Sequence, residues 1–412
     1  MSFLGLLLSI FLLTFRPQDF APGFMGNRVV FYSLGLIFLF WIFNGAKKDL
    51  FKTSLDKFVI FFLTWCVISS ISTHWLEYIY TTFIDEIKIL LIYLFITTFI
   101  DSIYRFKIAL WFTVGCIFLV AAMGILQSYG VDITGAGMLW ASDKQAWQIR
   151  GAGNYNNPND LAYSVVLIVP FALGAVIKGP SLISRFLSSG LLVTALYSIY
   201  LTRSRGGLLA LATCLTLWLI MWIKSPGLKR IIATIGTIGL VTVFVLKSQG
   251  YRIDASAMGR VEAWAAGMDM LRAHPLFGVG KGQFLEYYER DSHNSFVKVG
   301  AETGIVGLYT LLGILVSLYF SLKRFFLTDL FDERKVYVVG FAGYFCSYIT
   351  ASIFSSRPYD VIFLIATAMT GALSRIDFNG SESTHNIKNH KYTFFLMLGV
   401  LILWKLFLVN TW

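Results

Sequence analysis

Long apolar runs separated by short polar segments dominate this chain. A helix needs about 20 mostly apolar residues to cross the hydrocarbon layer of a bilayer, and thirteen runs approach that length. They lie at roughly 2–15, 29–45, 58–73, 87–100, 108–127, 161–177, 186–202, 207–223, 231–247, 304–322, 336–354, 359–374 and 392–412. The first and the fourth run are short, so the pattern predicts twelve to fourteen crossings. We therefore expect an all-α fold, a polytopic transmembrane helical bundle of about 12–13 spans that forms one membrane domain over residues 1–412.

The loops between these runs are basic at every second position along the chain. Basic short loops favour the cytoplasmic side, so the alternation predicts a cytoplasmic N-terminus and an outer C-terminus. Two long segments then lie outside, residues 128–160 and the larger residues 248–303, which are partly helical around 260–271. The basic loops carry Lys47, Lys48, Lys52, Lys57, Arg105, Lys107, Lys178, Arg185, Lys224, Lys229, Arg230, Lys323, Arg324, Arg334, Lys335, Arg375, Lys388 and Lys391.

Composition agrees with lipid as the main solvent of this chain. Hydrophobic residues make up 57% of it and charged residues only 14%, whereas a soluble domain carries about 25% charged residues. The formal net charge is +11. The cytoplasmic loops explain about half of this excess, and the remainder lies in the outer loops, where it favours an anionic substrate. We expect membrane lipids as partners and no nucleic acid. The four cysteines lie inside apolar runs and predict neither a disulfide nor a zinc site.

A pair of arginines lies at the outer boundary between two apolar runs. Arg203 and Arg205 flank Ser204 directly before Gly206 and Gly207. The planar guanidinium fork suits phosphate oxygens, and the following helix adds the positive end of its dipole. The alternative is that both side chains reach towards lipid headgroups around a tight glycine turn. Because the two arginines are two residues apart, only one readily faces a cavity; we favour Arg205, which abuts the glycines.

A third outer arginine begins the helical part of the second long segment. Arg260 follows Gly259 and precedes Trp264 by four residues. It adds a cation on the same side of the membrane as the arginine pair. The alternative is an ordinary ion pair with Glu262 or Asp254 on a solvated helix face.

A histidine follows, shortly before the next apolar run. His293 stands beside Asn294, and Glu302 comes nine residues later. A neutral imidazole accepts a proton from a hydroxyl near physiological pH, as a general base must. The alternative is that the histidine only caps the start of a helix. Glu302 is a candidate for orienting His293, a point that the sequence leaves open.

Amides and a further arginine enrich two other outer turns. Residues 150–160 contain Arg150, Asn154, Asn157 and Asn159 directly before an apolar run. Helix entry with Asn159 or Asp160 as the cap is the favoured interpretation, and recognition of sugar or phosphate is the alternative. Arg357 lies in a second outer turn, for which we favour a structural role.

Motifs for metals and nucleotides are missing from the sequence. There is no outer Asp-x-Asp pair, no Walker-type phosphate loop and no His-Glu-x-x-His. We therefore expect no metal and no other cofactor. Arginines then have to supply the charge that stabilises phosphate, and a base has to activate the acceptor.

Together, these motifs resemble the bacterial O-antigen ligase and O-antigen polymerase superfamily. The likeness rests on the Arg-Ser-Arg-Gly-Gly turn, the Gly-Arg-x-x-x-Trp element, the His-Asn start and the Glu-x-Gly-x-x-Gly after it, and it covers about residues 145–375. It implies a GT-C-like, metal-independent glycosyltransferase in the bacterial inner membrane. Such an enzyme moves a glycan from undecaprenyl diphosphate to an acceptor sugar at the periplasmic face. The acceptor is lipid A core in ligases and a second lipid-linked glycan in polymerases, and the sequence leaves both open.

The resemblance also implies roles for individual residues. Arg205 or Arg203, together with Arg260, match the arginines expected to hold the diphosphate, and His293 matches the proposed base. The remaining polar residues of the motifs are expected to bind substrate: Arg150, Asn154, Asn157, Asn159, Trp264, Asn294, Glu302 and Arg357.

Two functions from other classes compete with sugar transfer. A flippase for lipid-linked oligosaccharides, or another polysaccharide transporter, would place ionisable residues near the membrane midplane and often contain repeats. The predicted spans are nearly free of charge and show no repeat. A structural subunit would not need arginines and a histidine on one side.

Overall fold

The computed structural model describes residues 2–21, 28–43, 52–73, 75–141, 145–223, 225–228, 231, 234, 255–327, 332–378 and 386–409. Its helices are α1 (Ser2–Thr14), α2 (Arg28–Phe43), α3 (Ser54–Ser70), α4 (Leu76–Phe99), α5 (Ile103–Ser128), α6 (Pro158–Val165), α7 (Ile168–Lys178), α8 (Leu182–Leu201), α9 (Arg205–Trp222), α10 (Ala255–Ala273), α11 (Phe284–Tyr287), α12 (Ser295–Leu327), α13 (Asp332–Phe354), α14 (Val361–Phe378) and α15 (Asn386–Val409). Short 3₁₀ turns lie at Pro17–Asp19, Ile71–Thr73 and Gly153–Tyr155.

The prediction of an all-α, polytopic membrane protein is confirmed. Among the described residues, six helical stretches are long and apolar enough to cross a bilayer: Ile103–Ser128, Pro158–Lys178, Leu182–Leu201, Arg205–Trp222, Ser295–Phe326 and Arg334–Phe354. The stretches Val29–Phe43 and His390–Trp404 are apolar but shorter. The count of 12–13 spans stays a prediction. Most of the predicted span 231–247 and residues 248–254 of the second outer segment lie outside the described residues.

Helix α4 is longer than the sequence suggests. The apolar run begins near residue 87, yet the helix begins at Leu76 and has 24 residues. Its first half carries Asp85, Glu86 and Lys88, which interrupt the hydrophobic pattern. Lys88 pairs with Asp85 at 3.1 Å and Glu86 pairs with Lys281. Since paired charges are tolerated where single ones are costly, the helix continues through them.

The outer segment 128–160 contains a small hairpin that the hydrophobic pattern did not predict. Its strands are β1 (Leu139–Ala141) and β2 (Ala146–Gln148), antiparallel with Trp140 opposite Trp147. The two indole rings meet edge to face with centroids 5.3 Å apart. Cross-strand aromatic pairs of this kind stabilise a hairpin, so two exposed tryptophans define the register of the strands.

Close packing holds the bundle together. Helix α12 packs on α3, α13 on α9 and α7 on α8. Glycine permits the approach of α12 to α3, because a methyl group at Gly313 would overlap the Phe58 ring, and the approach of α13 to α7, because one at Gly340 would overlap Phe171. Small residues let helices approach closely where lipid gives no hydrophobic drive for association.

Segments predicted to share a side of the membrane meet in the structure. At one end, Arg375 in the last turn of α14 pairs with Asp56 at the start of α3 at 2.5 Å and donates to the Thr97 carbonyl at 2.9 Å. All three belong to predicted cytoplasmic boundaries. At the opposite end, Arg357 reaches Asp160, again between two predicted outer segments. The bundle therefore has two polar ends, and the candidate chemistry lies at the end that contains Arg357.

Helix α12 contains a break that forms part of that end. Gly304 has φ 68° and ψ −171°, a conformation that strains any other residue. The chain after α10 enters the break, where Ile305 N donates to the Pro275 carbonyl at 2.8 Å and Gly280 N donates to the Glu302 carbonyl at 2.9 Å. From α3, Trp65 Nε1 donates to the Thr303 carbonyl at 2.8 Å. The carbonyls released by the break are thus satisfied, as groups surrounded by lipid require.

Candidate active site

The arginine turn begins with a capped helix. Ser204 is the N-cap of α9, and its Oγ accepts a hydrogen bond from Gly207 N at 2.9 Å. The same hydroxyl donates to Asn159 Oδ1 at 2.5 Å, which joins this turn to the start of α6. Arg205 is the first residue of α9 and its side chain is exposed. It lies where the free N–H groups and the helix dipole favour an anion.

Arg203 and Arg205 have different surroundings. Arg203 has φ 52°, and its guanidinium lies 4.6 Å from the centroid of the Tyr200 ring. Its Nη1 also donates to the Tyr200 hydroxyl at 3.3 Å. The Arg203 guanidinium therefore lies over the ring of Tyr200 in the preceding helix α8. This contact supports Arg205 as the residue that faces a ligand.

Tyr163 connects the arginine turn to Arg260. A methyl group at Gly206 would overlap the Tyr163 hydroxyl, so α9 approaches α6 closely beside Arg205. Tyr163 is also within electrostatic reach of Arg260. Tyr163 of α6 is therefore close to α9 and within electrostatic reach of Arg260 in α10. The sequence motifs did not identify Tyr163 because it lies inside an apolar run.

Arg260 has an unsatisfied donor. Its Nε is buried and has no hydrogen-bond partner among the described residues. The sequence suggested Glu262 as an ion-pair partner, but the Glu262 carboxylate interacts with the Tyr288 hydroxyl, and the other suggestion, Asp254, lies outside the described residues. Because buried donors are normally bonded, the Arg260 Nε–H group, which has no acceptor among the described residues, is suited to bind an acceptor on a ligand.

His293 lies in a tight turn directly before α12. It has φ 48°, a left-handed conformation that costs about 1–3 kcal/mol for a residue other than glycine. On one side, Trp264 Nε1 donates to the Ser292 carbonyl at 2.7 Å. On the other, Asn294 Oδ1 accepts from Phe296 N at 3.0 Å and Val297 N at 3.2 Å. The neighbours of His293 therefore hold the turn, and the imidazole itself is exposed.

The environment of His293 favours its neutral form. The surrounding protein disfavours the charged form and lowers the pKa of His293 below the ordinary value of 6.5; the positive charges of Arg260 and Lys298 lower it further, while Asp291 opposes them. Desolvation and nearby cations both disfavour an imidazolium. Near neutral pH the ring is thus free to accept a proton, and it remains accessible to a substrate.

Asp291 and Lys298 form the support beneath this turn. Lys298 Nζ lies 3.1 Å from Asp291 Oδ2 and 3.9 Å from Glu302 Oε1. Ser356 Oγ donates to Asp291 Oδ1 at 2.8 Å. Lys298 is not among the site residues that the sequence motifs predict. The signal for it was its spacing of four residues from Glu302 on one helix face.

Glu302 is fully buried and bonds to protein groups. Its Oε2 accepts from the Tyr359 hydroxyl at 2.8 Å, and its Oε1 accepts from Phe284 N at 3.4 Å. Lys298 rather than His293 is the charged group beside it. Its place in the structure is that of a positioning residue for the α12 break.

Arg357 is likewise enclosed by protein partners. Its Nη1 donates to the Asp160 carbonyl at 2.6 Å and its Nη2 lies 3.1 Å from Asp360 Oδ1. Its backbone N donates to Ser295 Oγ at 2.9 Å. Burial alone would lower the pKa of Arg357, but the carboxylates of Asp360 and Asp160 raise it above its ordinary value. This clamp joins the starts of α6, α12 and α14, in agreement with the structural role favoured from the sequence.

The four predicted site residues of the amide-rich turn, residues 150–160, have different surroundings. Arg150 Nε donates to the Gly137 carbonyl at 3.0 Å and so closes the 128–160 segment on itself. Asn157 caps α6, because its Oδ1 accepts a hydrogen bond from Asn159 N at 2.8 Å. The Oδ1 of Asn159 accepts a hydrogen bond from the Ser204 hydroxyl. Asn154 is exposed and lines an open recess at the same end of the bundle. Of the predicted site residues, only Asn154 lines this recess.

Metal ligands are not grouped in the part of the chain that the structure describes. No cluster of three or more His, Cys, Asp or Glu side chains occurs there. The concentrated charge around His293 comes from Arg260, Lys298 and Asp291.

Comparison with known proteins gives two matches. A family model described as O-antigen ligase matches residues 190–312. The exopolysaccharide production protein ExoQ of Rhizobium meliloti (strain 1021) is 24% identical over 215 residues, which cover 45% of this chain and 49% of that protein. The chain thus spans about half the length of this relative.

These matches confirm the resemblance to the O-antigen ligase and polymerase superfamily. The matched segment 190–312 contains Arg203, Arg205, Arg260, Trp264 and His293. Asn294 and Glu302 lie within it as well, whereas the amide-rich turn and Arg357 lie outside it.

Proposed function

We propose that this multi-pass membrane protein is a polysaccharide ligase or polymerase, a glycosyltransferase of the GT-C-like type. It transfers a glycan from an undecaprenyl diphosphate carrier to a hydroxyl of an acceptor sugar at the periplasmic face of the inner membrane. The acceptor is lipid A core or a second lipid-linked glycan. The name of the matching family model, O-antigen ligase, supports the reaction class, and the name of the relative, an exopolysaccharide production protein, supports the kind of product.

One observation carries this proposal: a guanidinium with a buried, unbonded Nε lies within electrostatic reach of an exposed histidine whose pKa is lowered. Arg260 Nε is buried without a partner, and its charge acts on His293, whose pKa is lowered. An anion-binding donor and a general base are the two groups that displacement of a phosphate leaving group requires.

The chemistry balances with these groups alone. The acceptor oxygen attacks C1 of the sugar and forms a new C1–O bond, while its proton passes to His293. The bond from C1 to the phosphate oxygen breaks, and its electron pair leaves with the lipid diphosphate. Arg205 and Arg260 stabilise the negative charge that develops there, as fixed donors do in a site shielded from water. Single displacement from the opposite face inverts the anomeric centre.

The surface below Arg205 suits a polyprenyl chain. Helices α8 and α9 present exposed apolar side chains that include Leu196, Tyr200, Leu208 and Leu215. Arg205 lies at the polar end of this wall. A carrier that places its tail along α9 and its diphosphate at the N-terminus of that helix would match both the apolar wall and the helix dipole.

The proposal is tested with the purified full chain in lipid nanodiscs. The donor is an undecaprenyl diphosphate glycan, and the acceptors, offered separately, are lipid A core and a second lipid-linked unit. We expect a new glycosidic product with one of them, with loss of the product in His293→Ala. Movement of the donor across a bilayer without a new covalent bond would overturn the proposal in favour of a transporter.

A further inference from the structure

A second polar recess lies at the same end of the bundle as His293 and is built from other segments. It has a volume of about 250 Å³, and its polar side chains come from five segments: the turn after α1, α4, the amide-rich turn, the chain after α10 and the turn before α14. They include Arg16, Gln18, Lys88, Asn154, Lys281 and Tyr359. These residues belong to loops predicted to lie on the outer side of the membrane or to the outer ends of the adjoining predicted spans.

The charge that lines the recess is mainly positive. Arg16, Lys88 and Lys281 line it against one carboxylate, Asp85. Arg16 is held by Asp19 at 2.5 Å, and Lys281 is held by the nearly buried Glu86. Neither Asp19 nor Glu86 is part of the lining. The carboxylates thus position two of the cations from behind, and arginine and lysine retain further N–H donors for a ligand.

A buried acceptor in the wall has no partner. Gln18 is 5% exposed, and its Nε2 donates to the Leu12 carbonyl at 2.9 Å. Its Oε1 is buried and unbonded among the described residues. Because a buried carbonyl oxygen is normally bonded, this oxygen is available for an O–H or N–H group that enters the recess.

Contacts between side chains connect the recess to the His293 turn. Lys281 Nζ lies over the Tyr359 ring, 4.9 Å from its centroid, and Tyr359 donates to Glu302 at 2.8 Å. Glu302 adjoins Lys298, which pairs with Asp291 two residues before His293. An occupant of the recess therefore lies at one end of a continuous set of contacts, and the proposed base lies at the other.

We infer that this recess binds the acceptor glycan through an anionic substituent, a phosphate or a carboxylate. The inference rests on the proposed function, because transfer joins two substrates and the Arg205–Arg260 group is assigned to the donor. Cationic donors match the anionic group, and Gln18 and Asn154 match sugar hydroxyls. An uncharged lipid tail would leave these polar groups without partners.

Binding is tested with the purified full chain and three fluorescent probes: trigalacturonate, a phosphorylated mannotriose and neutral maltotriose. We expect at least one anionic probe to bind at least about tenfold more tightly than the neutral one, because its anionic group forms charge-assisted hydrogen bonds with the cations of the recess. Gln18→Met and Arg16→Gln should each weaken that binding by about tenfold, as loss of one good polar contact does. Equal affinity for all three probes, or binding to none, would overturn the inference.

Controls separate local effects from misfolding. Asn154→Leu changes an exposed side chain of the recess and should weaken binding without altering the melting temperature. Arg272→Gln removes a pair of the same type as Arg16–Asp19, an Arg–Asp contact three residues apart at 2.8 Å that lies outside the recess. It should leave probe binding unchanged. Wild-type affinity in Asn154→Leu, Gln18→Met and Arg16→Gln together would contradict the inference.

Kinetics distinguish this inference from the function on which it rests. Recess variants should raise KM for the acceptor while KM for the donor stays constant. If they leave both constants unchanged while His293→Ala abolishes transfer, the acceptor binds elsewhere and the proposed function stands. If the wild-type chain binds the anionic probes but makes no glycosidic product from any donor, the proposed function fails and only the recess as a glycan site remains.

Discussion

Trp264 donates its indole N–H to the carbonyl of Ser292 at 2.7 Å. This hydrogen bond joins helix α10, which carries Arg260 one turn earlier, to the turn that carries His293. Residues four apart lie on one face of a helix, so the contact that holds the turn also brings the arginine to the same region. Two motifs that are separated along the chain therefore act as one unit.

Trp264→Phe should weaken this connection without emptying the space beside it. We expect the rate of transfer to fall by about fivefold, since loss of one hydrogen bond corresponds to about 1 kcal/mol, with little change in KM for the donor. Steady-state kinetics measure the effect. Trp147→Phe, on the exposed hairpin, is the matched control and should keep the wild-type rate. A wild-type rate in Trp264→Phe would show that this hydrogen bond does not contribute to transfer.

The pH profile of transfer reports the state of His293. Because its pKa lies below 6.5 and the base must be neutral, activity should be constant near neutral pH and fall only as the pH drops through that lowered value. Arg260→Gln removes one of the charges that lower the pKa. The acidic limb should then move to higher pH, and kcat should fall by about 10²–10³-fold for loss of a donor to the leaving group. An acidic limb at the same pH in Arg260→Gln would show that Arg260 does not affect the pKa of His293.

Lys298 should contribute mainly to stability. Lys298→Met leaves the buried Glu302 carboxylate without its nearest cation, and an unpaired buried charge costs about 3–5 kcal/mol. We expect a clear drop in the melting temperature in detergent. The double variant Lys298→Met/Glu302→Gln should recover only part of that loss, because the buried charge at position 302 is removed while Asp291 still lacks its ion-pair partner. A double variant no more stable than Lys298→Met alone would show that the pair is not the cause.

Gly304 should not tolerate a side chain. Its φ of 68° is unfavourable for other residues, and a methyl group there would overlap the Leu276 carbonyl. Gly304→Ala should therefore lower the melting temperature and the yield of folded protein. Gly399→Ala in α15, where no atom lies within 4 Å of an added methyl group, is the matched control and should behave as wild type. Equal melting temperatures for both variants would contradict the importance of the break.

The sequence predicts some features of this molecule well because they are local. Apolar runs of sufficient length specify membrane helices, and the polar turn at residues 150–160 predicts the start of the next helix, although its cap is Asn157 rather than the expected Asn159 or Asp160. The order of the Arg205, Arg260 and His293 motifs was sufficient to suggest the resemblance that the comparisons confirm.

Other features depend on contacts between distant segments. Charges in the first half of α4 interrupt its apolar pattern, and only the pairing of Glu86 with Lys281, from another segment, shows why the helix continues. In the sequence, Arg357 resembles an ordinary turn residue. Only the structure shows its hydrogen bond to the carbonyl of Asp160, 197 positions earlier. The recess at Gln18 is formed by five segments and has no signature in any one of them.

The central claim is that Arg205, Arg260 and His293 carry out sugar transfer from a lipid diphosphate without a metal. Its most direct test is product formation by the purified chain from an undecaprenyl diphosphate glycan and its acceptor in the presence of EDTA. We expect wild-type protein to retain its full rate in EDTA and His293→Ala to form no product while remaining folded. Loss of activity in EDTA with recovery on adding magnesium, or a wild-type rate in His293→Ala, would contradict the claim.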